Sequence, residues 1–266
     1  MATVFDGKTV KRLCNGMMEP EVYEEIYRVG RDSPLPHMVE VGTGHGAGAI
    51  SLAMGLRDSG RVGKVYTIDR IMGGSRDRFG GLEQNETIIR RNIAHFGLED
   101  YVEFIVGDAV SAAEKIPADI RFGVMLLDAD GRLDRDFKLF YDRLVDGGGV
   151  ILDDVKAETR AKIRRRGVLA HDVRIDQKHL IAHHLHKLFE RHGLLTEGQT
   201  YFGNTWIGQK NPAKFSDVPQ DDILECYRSL VFTRSSLKIL PLRARLARIG
   251  HTVLPRPMVR VLKEKI

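Results

Sequence analysis

The sequence has few of the residues that build disulfide-rich, zinc-clustered or membrane-spanning proteins. Its 266 residues include two cysteines and one tryptophan. Cys14 and Cys226 alone cannot form a disulfide framework or a four-cysteine zinc site. The longest apolar runs fall well short of the ~18 residues that suggest a membrane span, and the polar first residues do not resemble a signal peptide. We therefore expect a cytoplasmic protein.

The sequence does have a globular composition and a repeating order of strand and helix. Hydrophobic residues make up 42% and charged residues 29%, which is typical of a folded chain. Five short apolar segments, each predicted to be a strand, end near Gly42, Asp69, Asp108, Asp128 and Asp153. Helical segments follow these strands. This alternation predicts an α/β fold with a doubly wound, mostly parallel sheet and right-handed crossovers.

A late pair of β-rich runs marks the end of the predicted core. Residues 175–192 predict a further helix, and TYFGNTWIGQ favours a tight hairpin around Gly203-Asn204. We expect a seven-stranded sheet that finishes with this antiparallel hairpin. The predicted organisation is a helical cap at 1–35, a cofactor-binding domain at 36–210 and a basic, proline-broken extension at 211–266.

A glycine-rich turn follows the first predicted strand. The segment VEVGTGHGAGA places Gly42, Gly44, Gly46 and Gly48 between a strand and a helix. Glycines there let the backbone turn sharply and approach a ligand, while helix N–H groups face it. The segment also fits the dinucleotide pattern GxGxxG/A through Ala47. The turn alone therefore does not choose between cofactor classes.

Three acidic residues lie at or near the strand ends beside this turn. Asp69 ends the second strand, where a carboxylate can accept both ribose hydroxyls of an adenosine cofactor. Nicotinamide enzymes and methyltransferases share that feature. Glu40 precedes Gly42 by two positions, where it can meet the positive end of S-adenosylmethionine, and Asp108 ends the third strand within reach of an adenine edge. Glu40 and Asp108 favour S-adenosylmethionine.

With these residues, the sequence resembles the class I S-adenosylmethionine-dependent methyltransferases over residues 36–210. The resemblance implies that the glycine turn lies against the methionine and ribose of the cofactor. It further implies that the second-strand acid holds the ribose and that the third-strand acid or its neighbour meets adenine. The implied cofactor-binding residues are Glu40, Gly42, Gly44, Gly46, Asp69, Asp108 and Ala109.

Further carboxylates follow the fourth and fifth predicted strands. LLDAD places Asp128 after the fourth, and ILDDV places Asp153 and Asp154 after the fifth. Ligands of open α/β sheets bind beyond the carboxyl ends of the strands, so we expect these acids to converge beside the cofactor. A hard cation such as Mg²⁺ relieves their mutual repulsion. The alternative is that they cap helices or pair with Arg132 and Arg135.

The carboxylate pattern resembles that of the metal-dependent O-methyltransferases similar to catechol O-methyltransferase. The resemblance implies a divalent cation, Mg²⁺ by preference, held by Asp128, Asp153 and Asp154. Such a metal lowers the pKa of a substrate hydroxyl and holds its oxygen in line with the methyl–sulfur bond. We therefore predict methyl transfer to a hydroxyl of a small-molecule acceptor. Residues 70–82 and the N-terminal helix are expected to cover that acceptor.

One position departs from this family. Many relatives carry a Lys or His base three residues after the first metal aspartate, where this sequence has Gly131. Arg132 stays protonated and cannot act as a base. Besides Asp128, the candidate catalytic residues are therefore Asp130 and His171, unless the metal alone suffices. The departure also leaves open a scaffold that binds the cofactor without turnover.

The C-terminal segment differs from the rest of the chain. Residues 228–266 carry ten Lys and Arg against one acid. We expect this segment to dock on the core or on a partner subunit of a homo-oligomer, and contact with an anionic membrane surface is an alternative. Phe232 is the one aromatic residue after Tyr227, which disfavours nucleic acid as a partner.

Two other enzyme classes compete with this interpretation. The first is metal-independent N- or O-methyl transfer. Base methylation commonly uses an Asn/Asp-Pro-Pro-aromatic run after the fourth strand, which Asp128-Ala-Asp-Gly does not resemble. The second is a nicotinamide-dependent oxidoreductase, which would leave the carboxylates without a role. Trp206 is expected in the core, and His179 and His183 on a solvated helix face.

Overall fold

A computed structural model of the chain describes residues 5–71, 82–156, 159–165, 168–175 and 177–230. Within these ranges, the side chains of residues 82–84, 159–165, 168–175 and 177 are not described. The predicted covering loop, apart from its ends, and the basic segment from residue 231 onward lie outside the described residues. Among the described residues, no helix combines the length and apolar character that a bilayer crossing requires.

Strands and helices alternate along most of the described chain. The strands are β1 (Met38–Val41), β2 (Val65–Asp69), β3 (Val102–Val106), β4 (Phe122–Leu127), β5 (Leu144–Leu152), β6 (Thr159–Arg165), β7 (Val168–Ile175), β8 (Gln199–Tyr201) and β9 (Thr205–Gln209). The helices are α1 (Gly7–Leu13), α2 (Pro20–Asp32), α3 (Ala47–Asp58), α4 (Leu82–His95), α5 (Ala109–Ala113), α6 (Leu133–Phe140), α7 (Gln177–Arg191) and α8 (Gln220–Arg228).

Seven of the strands form one mostly parallel sheet. Its order is β3-β2-β1-β4-β5-β9-β8. The strands β1 to β5 pair in parallel, whereas β9 runs antiparallel to both β5 and β8. The predicted fold class and its final antiparallel hairpin are therefore confirmed. The strand order reverses between β1 and β4, and such switch points are where open α/β sheets bind their ligands.

The two faces of the sheet carry separate apolar layers. Side chains alternate along each strand, so Val39 and Val41 join a cluster with helices α5 to α8, whereas Met38 joins one with helices α1 to α4. Trp206 is buried in the first cluster, as expected. Helices on both faces bury the central strands completely, which explains their continuous apolar runs.

Helix α3 is enclosed between the sheet and the N-terminal helix α2. Every residue from 47 to 56 is buried. Two glycines bring the backbones of α2 and α3 together. A Cβ on Gly30 would lie 2.7 Å from the carbonyl oxygen of Leu52, and a Cβ on Gly55 would lie 2.6 Å from the amide nitrogen of Arg31. The N-terminal helices therefore share one core with α3 and one face of the sheet.

Two features of the late chain differ from expectation. Strands β6 and β7 form a separate two-stranded antiparallel sheet between β5 and α7, where no strand was predicted. The segment from Arg160 to Arg164 alternates basic with other residues, so a search for apolar runs misses its period of two. The β8–β9 turn is centred on Phe202 and Gly203, which both have positive φ, one residue earlier than predicted.

Candidate active site

The carboxyl ends of β1, β2, β4 and β5 meet at one edge of the sheet. The backbone continues the sheet ladder past the strands. The Asp128 amide donates to the Val41 carbonyl at 2.8 Å, and the Asp153 amide donates to the Leu127 carbonyl at 3.0 Å. These bonds fix the first residue after β4 and the first after β5 side by side. The predicted convergence of the strand-end acids is observed.

The glycine turn after β1 lies directly against the backbone after β4. Gly42 has φ +100°, and a Cβ there would overlap the Asp128 carbonyl oxygen and lie 2.5 Å from its carbonyl carbon. Gly44 also has positive φ, but a Cβ there would meet no atom within 4 Å. Gly46 starts α3 as a left-handed N-cap with φ +94°. The close approach of the turn to the Asp128 backbone therefore requires glycine at position 42, whereas position 44 has space for a side chain.

Glu40 is a buried carboxylate beneath this turn. It is 1% exposed and accepts a hydrogen bond from the Thr67 hydroxyl. The Thr67 hydroxyl also lies 2.6 Å from that of Thr43. A Cβ on Gly48 would overlap a Glu40 carboxylate oxygen, so the missing side chain admits the carboxylate beside the first turn of α3. Helix N-termini stabilise negative charge.

Asp69 ties the second strand to the glycine turn. One of its carboxylate oxygens accepts the Gly44 amide at 3.2 Å, and the other accepts the Ile71 amide at 2.7 Å. Asp108 instead caps α5, because its Oδ1 accepts the amides of Val110 and Ser111. These bonds and the Ser111 hydroxyl lower the pKa of Asp108. Its neighbour Ala109 is buried. An adenine contact at Asp108 or Ala109 stays a prediction.

A cleft of about 280 Å³ opens between the glycine turn and the N-terminal segment. Glu40, Gly42, Gly44 and Asp128 line one side of it. The opposite wall consists of residues 14–18, which no sequence motif predicted, and of Tyr23 in the N-terminal helix α2. Tyr23 is 3% exposed, and its hydroxyl oxygen accepts the Met18 amide at 3.2 Å.

Three carboxylates form a cluster at the floor of this edge. One oxygen from each of Asp128, Asp153 and Asp154 lies within 4.8 Å of the others. Burial and the neighbouring Asp153 raise the pKa of Asp128 well above its usual value, and burial and Asp154 raise that of Asp153. Oxygen donors at this spacing suit a hard divalent cation. The residues present therefore fit a Mg²⁺ ion, which would offset both the burial and the mutual repulsion of these carboxylates.

The hairpin β8–β9 supports the middle carboxylate of the cluster. Asp153 is 8% exposed, and its Oδ1 accepts hydrogen bonds from the Asn204 amide group at 2.9 Å and from the Thr205 hydroxyl. Asp154 has φ +61°, a conformation that non-glycine residues adopt rarely. The antiparallel hairpin thus orients Asp153, the residue that directly follows the neighbouring strand β5.

Helix α7 adds two basic side chains that the sequence analysis missed. The Lys178 Nζ lies 2.6 Å from Asp154 Oδ2 and 3.5 Å from Asp128 Oδ1. The His179 Nε2 lies 2.8 Å from Asp154 Oδ1, so the expectation of a solvated face is wrong for His179. Burial acts to raise the pKa of Asp154, but Lys178 and His179 outweigh burial and lower it.

Asp130, one of the predicted bases, stands apart from the cluster. Its two oxygens accept from the Arg135 guanidinium at 2.9 and 3.1 Å, and Oδ1 also accepts the Arg132 amide. Burial acts against ionisation, but these bonds prevail and the pKa of Asp130 is lowered. This pairing favours a structural role over the predicted role as a base. The other predicted base, His171, lies in β7, where side chains are not described.

The arginines considered as partners of the cluster are engaged elsewhere. Arg132 pairs with Asp134, and Arg135 pairs with Asp130 and Asp136. Within the described part of the chain, neither arginine forms an ion pair with a member of the cluster. Lys178 from α7 supplies a positive charge instead, and the His179 ring contacts Asp154.

Comparison with known proteins agrees with this geometry. The sequence model of a family described as a methyltransferase domain matches residues 39–155. A comparison with curated protein sequences gave no match. Among solved structures, an O-methyltransferase from Bacillus cereus in complex with SAH is 17% identical, with a TM-score of 0.54 over 77% of this chain and 90% of that one. The O-methyltransferase TomG from Streptomyces achromogenes in complex with SAM is 15% identical, with a TM-score of 0.53 over 77% and 87%.

Residues 39–155 match a methyltransferase domain, and the sheet order and glycine turn are those of the class I S-adenosylmethionine-dependent methyltransferase fold. More particularly, the fold is similar to those of O-methyltransferases that were solved with SAM or SAH.

Proposed function

We propose that this protein transfers the methyl group of S-adenosylmethionine to a hydroxyl of a small molecule, assisted by a divalent cation. The observation that supports the proposal is the position of Asp128. Asp128 lines the cleft beside the glycine turn and also belongs to the three-carboxylate cluster. A donor in the turn and an oxygen acceptor at the cluster would therefore lie next to each other, which is the arrangement that in-line transfer needs.

The residues of the glycine turn have a direct role in this proposal. Asp69 would accept the ribose hydroxyls while it holds the Gly44 amide. Glu40 would place negative charge beneath the sulfonium end of the donor. The sulfonium is already an activated electrophile, so binding and orientation are the main tasks of the protein.

The cluster has the complementary role toward the acceptor. Asp128, Asp153 and Asp154 would hold the cation, and Thr205 and Asn204 would keep Asp153 oriented. When bound, a divalent cation supplies charge that lowers the pKa of an acceptor hydroxyl. The N-terminal wall, with Tyr23 at its base, would exclude water from the reacting atoms and limit the size of the acceptor.

A second candidate function is metal-independent methyl transfer in the same cleft. It is favoured by the ammonium of Lys178, which lies within 3.5 Å of both Asp128 and Asp154. A nitrogen or oxygen acceptor would then be bound without a cation. The two candidates differ in one measurable property, the response to chelator.

The test is a methyl-transfer assay with a panel of small hydroxyl compounds, in Mg²⁺ and in EDTA. We expect transfer to require the metal. Asp153→Asn should retain S-adenosylmethionine binding by calorimetry and lose at least 100-fold in kcat/KM, because a neutral amide weakens the cation site. Asp100→Asn, a change of the same kind at an exposed residue between α4 and β3, is the matched control. Full activity in EDTA would refute the requirement for a divalent cation and support the second candidate.

A further inference from the structure

The ammonium of Lys178 stands between two of the three carboxylates that would hold the cation. We infer that Lys178 is a built-in counter-ion of the cluster, which balances its charge when no divalent cation is bound and is displaced when one binds. The inference rests on the proposed function, because it assumes that the cluster takes a divalent cation.

The distances make the ammonium and the cation competitors. Lys178 Nζ contacts Asp154 Oδ2 at 2.6 Å and Asp128 Oδ1 at 3.5 Å, and both residues belong to the cluster. A cation bound to all three carboxylates would need the same side chains. Two positive charges at this separation repel each other strongly in a partly buried site. The lysine side chain is 32% exposed, so it has an open direction in which to move away.

Gly131 explains how α7 delivers this charge. It has φ +80°, and a Cβ there would lie 2.6 Å from the Lys178 carbonyl oxygen and 3.1 Å from Ile181 Cγ2. Any larger residue would push the first turn of α7 away from the ends of β4 and β5. Because Gly131 has no side chain, the first turn of α7 can approach the strand ends. This approach brings the Lys178 side chain to the cluster.

The other basic side chains near the cluster have different contacts and do not take the counter-ion role. His179 Nε2 contacts Asp154 Oδ1 at 2.8 Å. Arg132 and Arg135 are held by acids of α6 and its preceding loop. Lys178 is thus the described side chain that spans two members of the cluster.

The test compares Mn²⁺ binding to the full-length wild type and to three variants by calorimetry. Lys178→Met removes the ammonium, and Lys178→Arg keeps a positive charge. Lys187→Met is the matched control, because Lys187 lies on the same helix with its side chain 55% exposed and pairs with Glu190. We expect Lys178→Met to bind Mn²⁺ at least tenfold more tightly than the wild type, about 1.4 kcal/mol. Lys187→Met and Lys178→Arg should stay within threefold of the wild type.

Melting in EDTA gives a second readout. Lys178→Met should melt below the wild type in EDTA and regain the difference when Mn²⁺ is added, because its carboxylates then have a counter-charge. If Lys178→Met folds only with Mn²⁺, as followed by circular dichroism, the inference is supported. Failure of Mn²⁺ to restore its fold overturns the inference.

The outcomes separate this inference from the proposed function. If the wild type and Lys178→Met bind Mn²⁺ equally, or the variant binds more weakly, the counter-ion role is overturned while metal-assisted transfer stands. If neither protein binds Mn²⁺ but both bind S-adenosylmethionine, the proposed cation site is refuted, and the counter-ion inference is refuted as well.

Discussion

Replacing Gly42 with alanine tests whether the glycine turn is set by contact with the strand next to it. The residue has φ +100°, and a left-handed conformation costs an L-residue roughly 1–2 kcal/mol. The new Cβ would also overlap the Asp128 carbonyl. That neighbour is backbone, so relief requires a shift of the chain, which costs roughly 1–3 kcal/mol. We expect a total loss of about 3 kcal/mol in the free energy of unfolding.

Gly44→Ala provides the matched comparison two residues further on. Gly44 also has positive φ (+58°), but a Cβ there would meet no atom within 4 Å. The conformational cost of roughly 1–2 kcal/mol remains and the steric cost disappears. The effect of alanine on the unfolded chain is shared by both variants and cancels between them. The difference between the two variants therefore isolates the contact with Asp128.

Urea unfolding of both variants without cofactor measures this difference. Gly42→Ala should be less stable than Gly44→Ala by about 2 kcal/mol, which corresponds to roughly 4–8 °C in Tm for a chain of this size. Equal stability of the two variants would refute the reasoning, because it would mean that the turn and the β4 end do not constrain each other.

Three further predictions follow from single side chains. Asp69→Ala should weaken S-adenosylmethionine binding at least tenfold by calorimetry, and unchanged affinity would remove Asp69 from the donor site. Thr205→Val should lower stability by about 1.5–3 kcal/mol, because Asp153 loses a donor to its charged form; an equal loss at a pH where Asp153 is protonated would contradict this cause. Burial raises the pKa of Asp136 from 3.8 to about 6, against the opposing effect of Arg135. The folded state then holds a proton that the unfolded state releases, so stability should fall as pH rises from about 4 to 6, by up to ~3 kcal/mol. Asp136→Asn should flatten this fall in pH-dependent unfolding, and an unchanged profile would refute the assignment.

Local sequence patterns were sufficient to predict the parallel sheet and the convergence of its acids. Each of the strands β1 and β4 is buried along its full length, which produces the continuous apolar runs. Because all five strands run in parallel, the residues that follow them must share one edge. Glu40, Gly42, Asp128 and Asp153 could therefore be placed together without knowledge of the loops.

The basic half of the site depends on contacts that local patterns do not encode. Lys178 follows Asp128 by 50 positions, and its location depends on the unpredicted β6–β7 hairpin and on the contact with Gly131. Helical periodicity correctly placed His179 off the apolar stripe, but a polar helix face can meet buried carboxylates as well as water. Asp108 could have been assigned as a cap, since Asp is among the preferred N-cap residues and a small helix follows it.

The close packing of α2 on α3 couples the proposed acceptor side of the cleft to the proposed donor side. Gly30 and Gly55 let the two helix backbones touch, and α3 begins at the donor turn. Grafting residues 1–35 from a relative to change acceptor preference would therefore fail unless the graft carried a glycine opposite Leu52. If the proposed function holds, acceptor preference should be changed more readily by point changes at residues 14–18, which line the cleft, than by exchange of the whole N-terminal segment.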